Sequence, residues 1–313
     1  MTVKRAMVSV PGSTSNIGGG FDCVGMAVGR WLTASVEVDP SMPRVRMTRS
    51  GALASLQCTA MDDHIYTGFA AACQKVQRVV PIGLSFEATS TIPVARGLGS
   101  SAAALVAGAG LADAALNLGL GTEGVALIVS DIEGHPDNAA PSAFGGAMLG
   151  VARNEAAHDG DAAYVFSSLT VAPSLAFVFA VPAIEVTTAE ARAVLPAEVP
   201  FRQAVHAVQR SAALIHGLAS GDHRLLALAL DDVLHVPYRR GLVPGYDAVV
   251  SAAQDAGAFG ATLSGSGSAM VAICRAPDAP AVAGNMQSAF AAHGHDASWF
   301  ISTGAVGGLR SGN

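Results

Sequence analysis

The chain has 313 residues, enough for two domains of ordinary size and for a core that needs no disulfide or metal staples. Hydrophobic residues make up 51% and charged residues only 13%, against ~25% charged in an average domain, which excludes disorder driven by charge. A net charge of −6 argues against nucleic acid or an anionic membrane as the main partner.

Met7–Val10 is predicted as a first strand, ended by Pro11 and Gly12 and followed by a loop of small polar residues and glycine, Ser13–Asp22. Trp31–Val38 reads as a second strand. Ile65–Val79 reads as a helix with Ile65, Phe69, Cys73 and Val76 on one stripe, and Leu84–Thr91 as an alternating strand stopped by Pro93. Ser100–Leu118 is a long alanine-rich helix. Glu123–Glu133 is another, closed by Gly134 and Pro136, and Phe144–Val151 is a strand after a helical start at Pro141. The polar stretch Asn154–Asp161 marks the edge of a first domain and divides the chain into 1–160 and 161–313. Beyond it come a strand at Leu175–Val181 and helices at Ala189–Leu195, Phe201–Ala219, Arg224–Leu234 and Tyr246–Ala256. A strand at Met270–Cys274, a helix at Ala281–His293 and a last strand at Ala297–Ser302 follow. Strands and helices interleave in both halves, as in α/β or α+β architectures.

The most apolar stretch, Ala102–Leu120, contains Asp113, Asn117 and several glycines, so it reads as a buried helix rather than a membrane span. The first residues, MTVKRAMVSVPGS, lack an apolar run long enough for a signal peptide, and a cytoplasmic location is expected. Cys23, Cys58, Cys73 and Cys274 are widely spaced with no C-x-x-C pair, and read as isolated buried thiols. Only two lysines occur, Lys4 and Lys75, and neither follows a glycine-rich loop. The Walker A loop and the protein-kinase signature, which both need a phosphate lysine, are thereby excluded.

Four loops and two arginine settings carry chemistry. PVARGLGSSAA, from Pro93, places a glycine loop between a strand and a helix whose first residues are small. Free N–H groups and the positive end of the dipole attract an anion there, and Gly97 and Gly99 admit a close approach of polyphosphate. The same residues can equally form an ordinary capped turn, with Ser100 as the N-cap. Glu133, His135 and Asp137 stand at alternate positions in EGHPDN, which can form a metal site, a polar turn or an active-site turn. Gly18, Gly19 and Gly20 suit a loop that wraps a small ligand, or a linker. Ser264–Ser268 reads as a tight turn or a phosphate-facing loop. Arg192 and Arg239 are the arginines of the remaining two settings, where a solvated surface role is the ordinary alternative.

PVARGLGSSAA resembles the phosphate loop of the GHMP small-molecule kinases, while Ser13–Asp22 and Ser264–Ser268 resemble that family's first and third motifs. The three occur in order and span essentially the whole chain. Two departures stand out: SGSGS where the third motif usually reads S-G-A-G-P, and Gly18–Gly20 where the first usually has G-P-G. Both bear on loop rigidity more than on chemistry. Within the family, EGHPDN, STSNIGGGFD, the PYR of Pro237–Arg239 and the spacing from Thr188 to Arg192 resemble the branch that phosphorylates homoserine.

The resemblance implies a two-domain α/β (α+β) GHMP kinase fold. The N-terminal half would contain a left-handed β-α-β unit, against the right-handed default, and the C-terminal half would be ferredoxin-like. ATP and substrate would lie between the halves. It implies ATP-dependent phosphorylation of the side-chain hydroxyl of L-homoserine, with Mg²⁺. Pro93, Arg96, Gly97, Leu98, Gly99, Ser100, Ser101 and Ala102 would bind the nucleotide, and Ser101 and Glu133 would hold the metal through hard oxygen donors. Asn16, Asp22, His135 and Asn138 would surround the acceptor. Arg192 and Arg239 would clamp its carboxylate, a match to the guanidinium fork. Asp22, His135 and Asn138 fall at the reacting end; Asp22 and His135 are candidate bases, although phosphoryl transfer is mostly positioning and charge stabilisation. Residues of both signs suit a zwitterionic amino acid better than mevalonate or a sugar. Two other readings remain at this point: a GHMP kinase acting on threonine or another hydroxy compound, and a non-catalytic ligand sensor on the same fold. Members are often dimers, so a homodimer is an open expectation.

Overall fold

The computed structural model describes residues 3–153 and 163–312, so the expected domain edge at 154–161 lies outside the described residues. The first sheet grows from β1 (Lys4–Ser15) and β2 (Val24–Val38), which pair antiparallel along their whole length with a register shift at Pro11/Gly12. β1 thus runs five residues beyond the predicted end. Gly12–Ser15, expected as loop, pair with Gly25–Val28 and are buried. Their small side chains fit where the sheet meets a neighbouring loop, and they deliver Asn16 to the strand's end.

β3 (Val45–Gly51) lies parallel to β4 (Leu84–Ser90), and α1 (His64–Lys75) connects them as a β-α-β unit. α1 starts where the Asp63 carboxylate accepts from the Ile65 amide at 2.8 Å. α2 (Ser100–Leu116) is apolar on all sides because it is enclosed, packing on α1, β1, β2 and, following it, α3 (Gly121–Glu133) and α4 (Ala139–Phe144). Asp113, which breaks the apolar run, accepts from the Leu120 and Gly121 amides and fixes the turn between α2 and α3. No helix among the described residues is long and apolar enough to cross a membrane. β5 (Ala147–Ala152) pairs with the start of β2 and with β6 (Tyr164–Leu169).

The second sheet starts at β7 (Leu175–Pro182), buried along its whole length. Helices α5 (Thr188–Ala193), α6 (Phe201–Ser220), α7 (His223–Leu230), α8 (Val236–Arg239) and α9 (Tyr246–Asp255) lead to β8 (Gly260–Leu263) and β9 (Met270–Arg275). α10 (Ala279–Ala292) leads to β10 (Ala297–Ser302). The order β10-β7-β9-β8 is antiparallel throughout. In chain order that is fourth, first, third, second, the ferredoxin-like arrangement. β11 (Arg310–Gly312) returns to pair with β1 in the first sheet. The second sheet therefore takes residues from 175 to 302 only, and β6, just beyond 160/161, pairs in the first.

The predicted helix at Arg224–Leu234 ends instead at Leu230. Asp232 breaks it and accepts from the amides of Leu234, His235 and Val236, which starts α8. Of the thiols expected to be buried, Cys73 and Cys274 are, Cys23 is half-buried and Cys58 is exposed.

Candidate active site

A cleft of about 930 Å³ runs between the two halves. Three chain segments are stitched together along its floor. The Ser13 amide donates to the Leu98 carbonyl at 3.1 Å, the Gly265 amide to that of Ser15 at 2.8 Å, and the Ala269 amide to that of Arg96 at 3.0 Å. The Ser264 hydroxyl reaches the Gly97 carbonyl at 2.7 Å and the Thr14 hydroxyl at 2.9 Å. A Cβ on Gly97 would overlap the Ser264 carbonyl oxygen, one on Gly99 would overlap the Ser13 hydroxyl, and both residues have positive φ. The glycines are therefore required by packing and conformation as well as by any ligand.

The residue before α2 is Gly99 and no side chain caps the helix, so Ser100 is not the N-cap. The first ladder bond is Ala103 to Gly99, which leaves the amides of Ser100, Ser101 and Ala102 ahead of it, at the positive end of the dipole. Leu98 and Ala102 anchor the loop with buried side chains. Arg96 lines the cleft, but its guanidinium is engaged by Glu185 at 3.3 Å and by the Val94 and Ala95 carbonyls.

Glu133, at the end of α3, faces this helix start. Its Oε2 is cut off from solvent and has no hydrogen-bond partner. Burial pushes its carboxyl up to about 7, against the opposing pull of His135. Ser101 Oγ, whose hydrogen bond also lowers the Glu133 pKa, lies 2.9 Å from His64 Nδ1. His135 Nδ1 meets the buried Asp137 at 2.6 Å. Burial lowers the His135 pKa, but the hydrogen bond and charge of Asp137, with Glu133 and Asp22, outweigh it and the net shift is upward. Asn138 accepts from Ser13 at 2.9 Å and donates to Ser15 at 3.0 Å, so its side chain is locked. Asp22, His135 and Asp137 present ligand atoms within 4.8 Å of one another.

At the other end, Asn16 Oδ1 accepts from the Asp22 amide at 2.8 Å and closes the loop that contains the three glycines. Asp22 receives both arms of Arg192, at 3.0 and 3.3 Å. Arg192 sits in the last turn of α5, whose start is fixed by the reciprocal Thr187–Glu190 capping box. Arg239 is 2% exposed. Its Nε donates to the Ala191 carbonyl at 2.9 Å, its guanidinium lies over the Phe21 ring at 5.2 Å, and among the described residues no carboxylate pairs with it. Burial first, then the charge of Arg192, lowers its pKa.

Of the residues singled out in the sequence, Asn16, Pro93, Arg96–Ala102, Glu133, His135, Asn138, Arg192 and Arg239 all line this one cleft, and Asp22 adjoins it through Arg192. Sequence reasoning missed His64 and His235. The first lies one residue before the predicted helix. The second lies among apolar residues, where a histidine reads as core.

Fold and cleft together define a class: a two-sheet α/β protein presenting a glycine-lined helix start to a deep cleft between its halves. The chain belongs to the GHMP kinase family, ATP-dependent phosphotransferases; residues 64–146 match the model of the GHMP kinases N terminal domain, and residues 214–292 that of the GHMP kinases C terminal. It is 38% identical to the homoserine kinase of Moorella thermoacetica over 288 residues, covering 92% of this chain and 93% of that one. It is 36% identical to the homoserine kinase of Synechococcus sp. over 294 residues, covering 93% and 92%. Among solved structures, the homoserine kinase from Cytophaga hutchinsonii superposes with a TM-score of 0.85 at 27% identity over 98% of this chain and 97% of that one.

Proposed function

We propose that this protein transfers the γ-phosphoryl group of ATP to the side-chain hydroxyl of L-homoserine, giving O-phospho-L-homoserine. The observation that carries the choice of acceptor is Arg239: a buried guanidinium that lines the cleft and has no carboxylate partner among the described residues. An unpaired buried cation is costly, and a substrate carboxylate would relieve it. Arg192 supplies the second fork and Asp22 the anion for the substrate ammonium. Mevalonate would bring no ammonium to the Asp22–Arg192 pair, and a sugar would leave the buried Arg239 without a carboxylate.

In this reading the amides from Gly97 to Ala102 face the phosphates, with Pro93 and Arg96 at the loop's edge. Glu133 and Ser101 fit a Mg²⁺ ion, because a buried carboxylate oxygen lacking a partner and a neighbouring hydroxyl are the hard donors it takes. When bound, Mg²⁺ supplies charge neutralisation on the phosphates. Asn16 and Asn138 border the acceptor. The raised pKa of His135 favours the imidazolium, which suits charge stabilisation better than proton abstraction. Asp22 is occupied by Arg192. The residues therefore act by positioning and electrostatics more than by a strong base.

A coupled ADP-release assay over homoserine, threonine, mevalonate and galactose tests the assignment. Homoserine should give the highest kcat/KM. A preference for any of the others overturns the acceptor.

A further inference from the structure

We propose that His235 is a positioning residue that ties together the two walls of the acceptor site, holding the Asn16 main chain with one ring nitrogen and the Arg239 guanidinium with the other. The inference rests on the reading that Arg239 receives the acceptor's carboxylate and the Asn16–Asp22 loop its ammonium.

His235 is fully buried. Its Nε2 lies 3.1 Å from the Asn16 carbonyl oxygen. A carbonyl only accepts, so Nε2 carries the proton. Its Nδ1 lies 3.5 Å from Arg239 Nη1, a long hydrogen bond. Arginine only donates, so Nδ1 is bare. The neutral Nε2–H tautomer alone satisfies both contacts, since a charged ring would set one N–H against another. The charged groups facing the ring agree: Arg239 disfavours the imidazolium, while Asp232, at 3.8 Å, and Asp22 do not outweigh burial, and the pKa lies below its ordinary value.

The ring also stacks on Phe21, centroids 5.0 Å apart at 21°, and the Arg239 guanidinium lies over that same Phe21. The loop that carries Asp22 and the short helix that carries Arg239 thus meet on a single imidazole. The main chain that carries the imidazole is itself fixed by Asp232, whose carboxylate accepts from the amides of Leu234, His235 and Val236. Arg239 spends Nε on the Ala191 carbonyl, the residue beside Arg192. His235 holds one of the two arms that remain, and the guanidinium plane is set before the substrate arrives.

The test compares wild type with His235→Leu, His235→Asn and His235→Gln. His235→Leu should raise the homoserine KM about tenfold or more, the size of losing a hydrogen bond to a charged group. The ATP KM should stay within about twofold. Asn restores an acceptor near Nδ1 and Gln a donor near Nε2, so each should recover part of the loss. An unchanged homoserine KM in His235→Leu, or an equal rise in the ATP KM, overturns the proposal. A second readout needs no turnover. In two-bond ¹⁵N–¹H correlation spectra of the wild type, the ring signal that disappears in His235→Gln should be that of a neutral Nε2–H tautomer at pH 7. A charged ring or the Nδ1–H tautomer there overturns the relay. A wild type that ignores homoserine would sink the acceptor assignment while leaving the tautomer result standing, so the two failures are separable.

Discussion

The two ends of the cleft are built from different materials. At the phosphate end the groups that face the ligand are main-chain amides and small hydroxyls from ten consecutive residues, Pro93–Ala102, clamped to β1 and to the Ser264 loop by hydrogen bonds of 2.7–3.1 Å. At the proposed acceptor end they are polar and charged side chains drawn from Asn16 to Arg239 and contributed by both halves of the chain. A backbone site is rigid and indifferent to what lies beyond the phosphates. A side-chain site is adjustable, and it chooses the acceptor. Substitutions at the first end should therefore damage the reaction whatever the acceptor, and substitutions at the second should alter affinity for one substrate while sparing the other.

The largest effect belongs to Glu133, the carboxylate that the proposal commits to the phosphate end. Glu133→Gln keeps the shape and removes the charge. Turnover should fall by about 100-fold or more, the scale of losing metal-assisted charge stabilisation, with the homoserine KM little changed. Measuring kcat across a Mg²⁺ titration checks it; near-normal turnover at saturating Mg²⁺ would refute the role. Next comes Arg239→Leu. Losing a charge-assisted hydrogen bond costs ~1.5–3 kcal/mol, so the homoserine KM should rise roughly 10- to 150-fold and the ATP KM stay put. Arg239→Lys should recover only part, because an ammonium lacks the fork. An ATP KM that rises in step would mean that the two ends are not separable.

A smaller effect is expected of Asp22→Asn, because the Asp22 carboxylate is a third exposed and already shared with Arg192. The homoserine KM should rise by about tenfold or less. The informative comparison is 4-hydroxybutyrate, which keeps the carboxylate and hydroxyl of the acceptor and lacks its ammonium. Wild type should discriminate strongly between the two and the variant weakly. If the discrimination survives, Asp22 serves only to hold Arg192.

The same contrast explains what could be read in advance. The phosphate end was legible because its chemistry is contiguous: strand, PVARGLGSSAA and helix lie in one stretch of sequence. The acceptor end is dispersed over more than two hundred residues, and only resemblance to a family joined Asp22 to Arg192. Elements escaped for equally local reasons. β3 is a polar edge strand, VRMTRSG, with little apolar alternation, and it shows itself only through its pairing with β4. β8, GATL, hides in a glycine-serine turn. α8 is four residues long and lies just past the helix predicted over Arg224–Leu234, and nothing in the composition announces that Asp232 ends that helix early and accepts from the amides that lead into α8. With that break went His235, and with His235 the link between the two walls.

The smallest expected effect is on stability, and it separates the ends without any substrate. Glu133 has a folded-state pKa raised from 4.5 to about 7 by burial. Between those values the native protein holds a proton that the unfolded chain has released, so stability falls as pH rises across that window and the full penalty stands above it. The ceiling is about 3 kcal/mol at 1.36 kcal/mol per unit, and less is expected because the residue is only half-buried. The charge of His135 opposes the effect of burial, so its protonation bears on the midpoint as well. The depressed pKa of His235 acts in the opposite sense: stability is lost as pH falls below the unfolded value of 6.5. Wild type and Glu133→Gln share that contribution, and the difference between them leaves Glu133 together with its effect on His135. In metal-free protein the melting temperature of Glu133→Gln minus that of wild type should grow by a few degrees from about pH 5 to about pH 8. Mg²⁺ with a non-hydrolysable ATP analogue should raise the wild type more than the variant and close the gap. A difference flat in pH would mean that the carboxylate is solvated, and the argument that its free oxygen awaits a cation would fall with it.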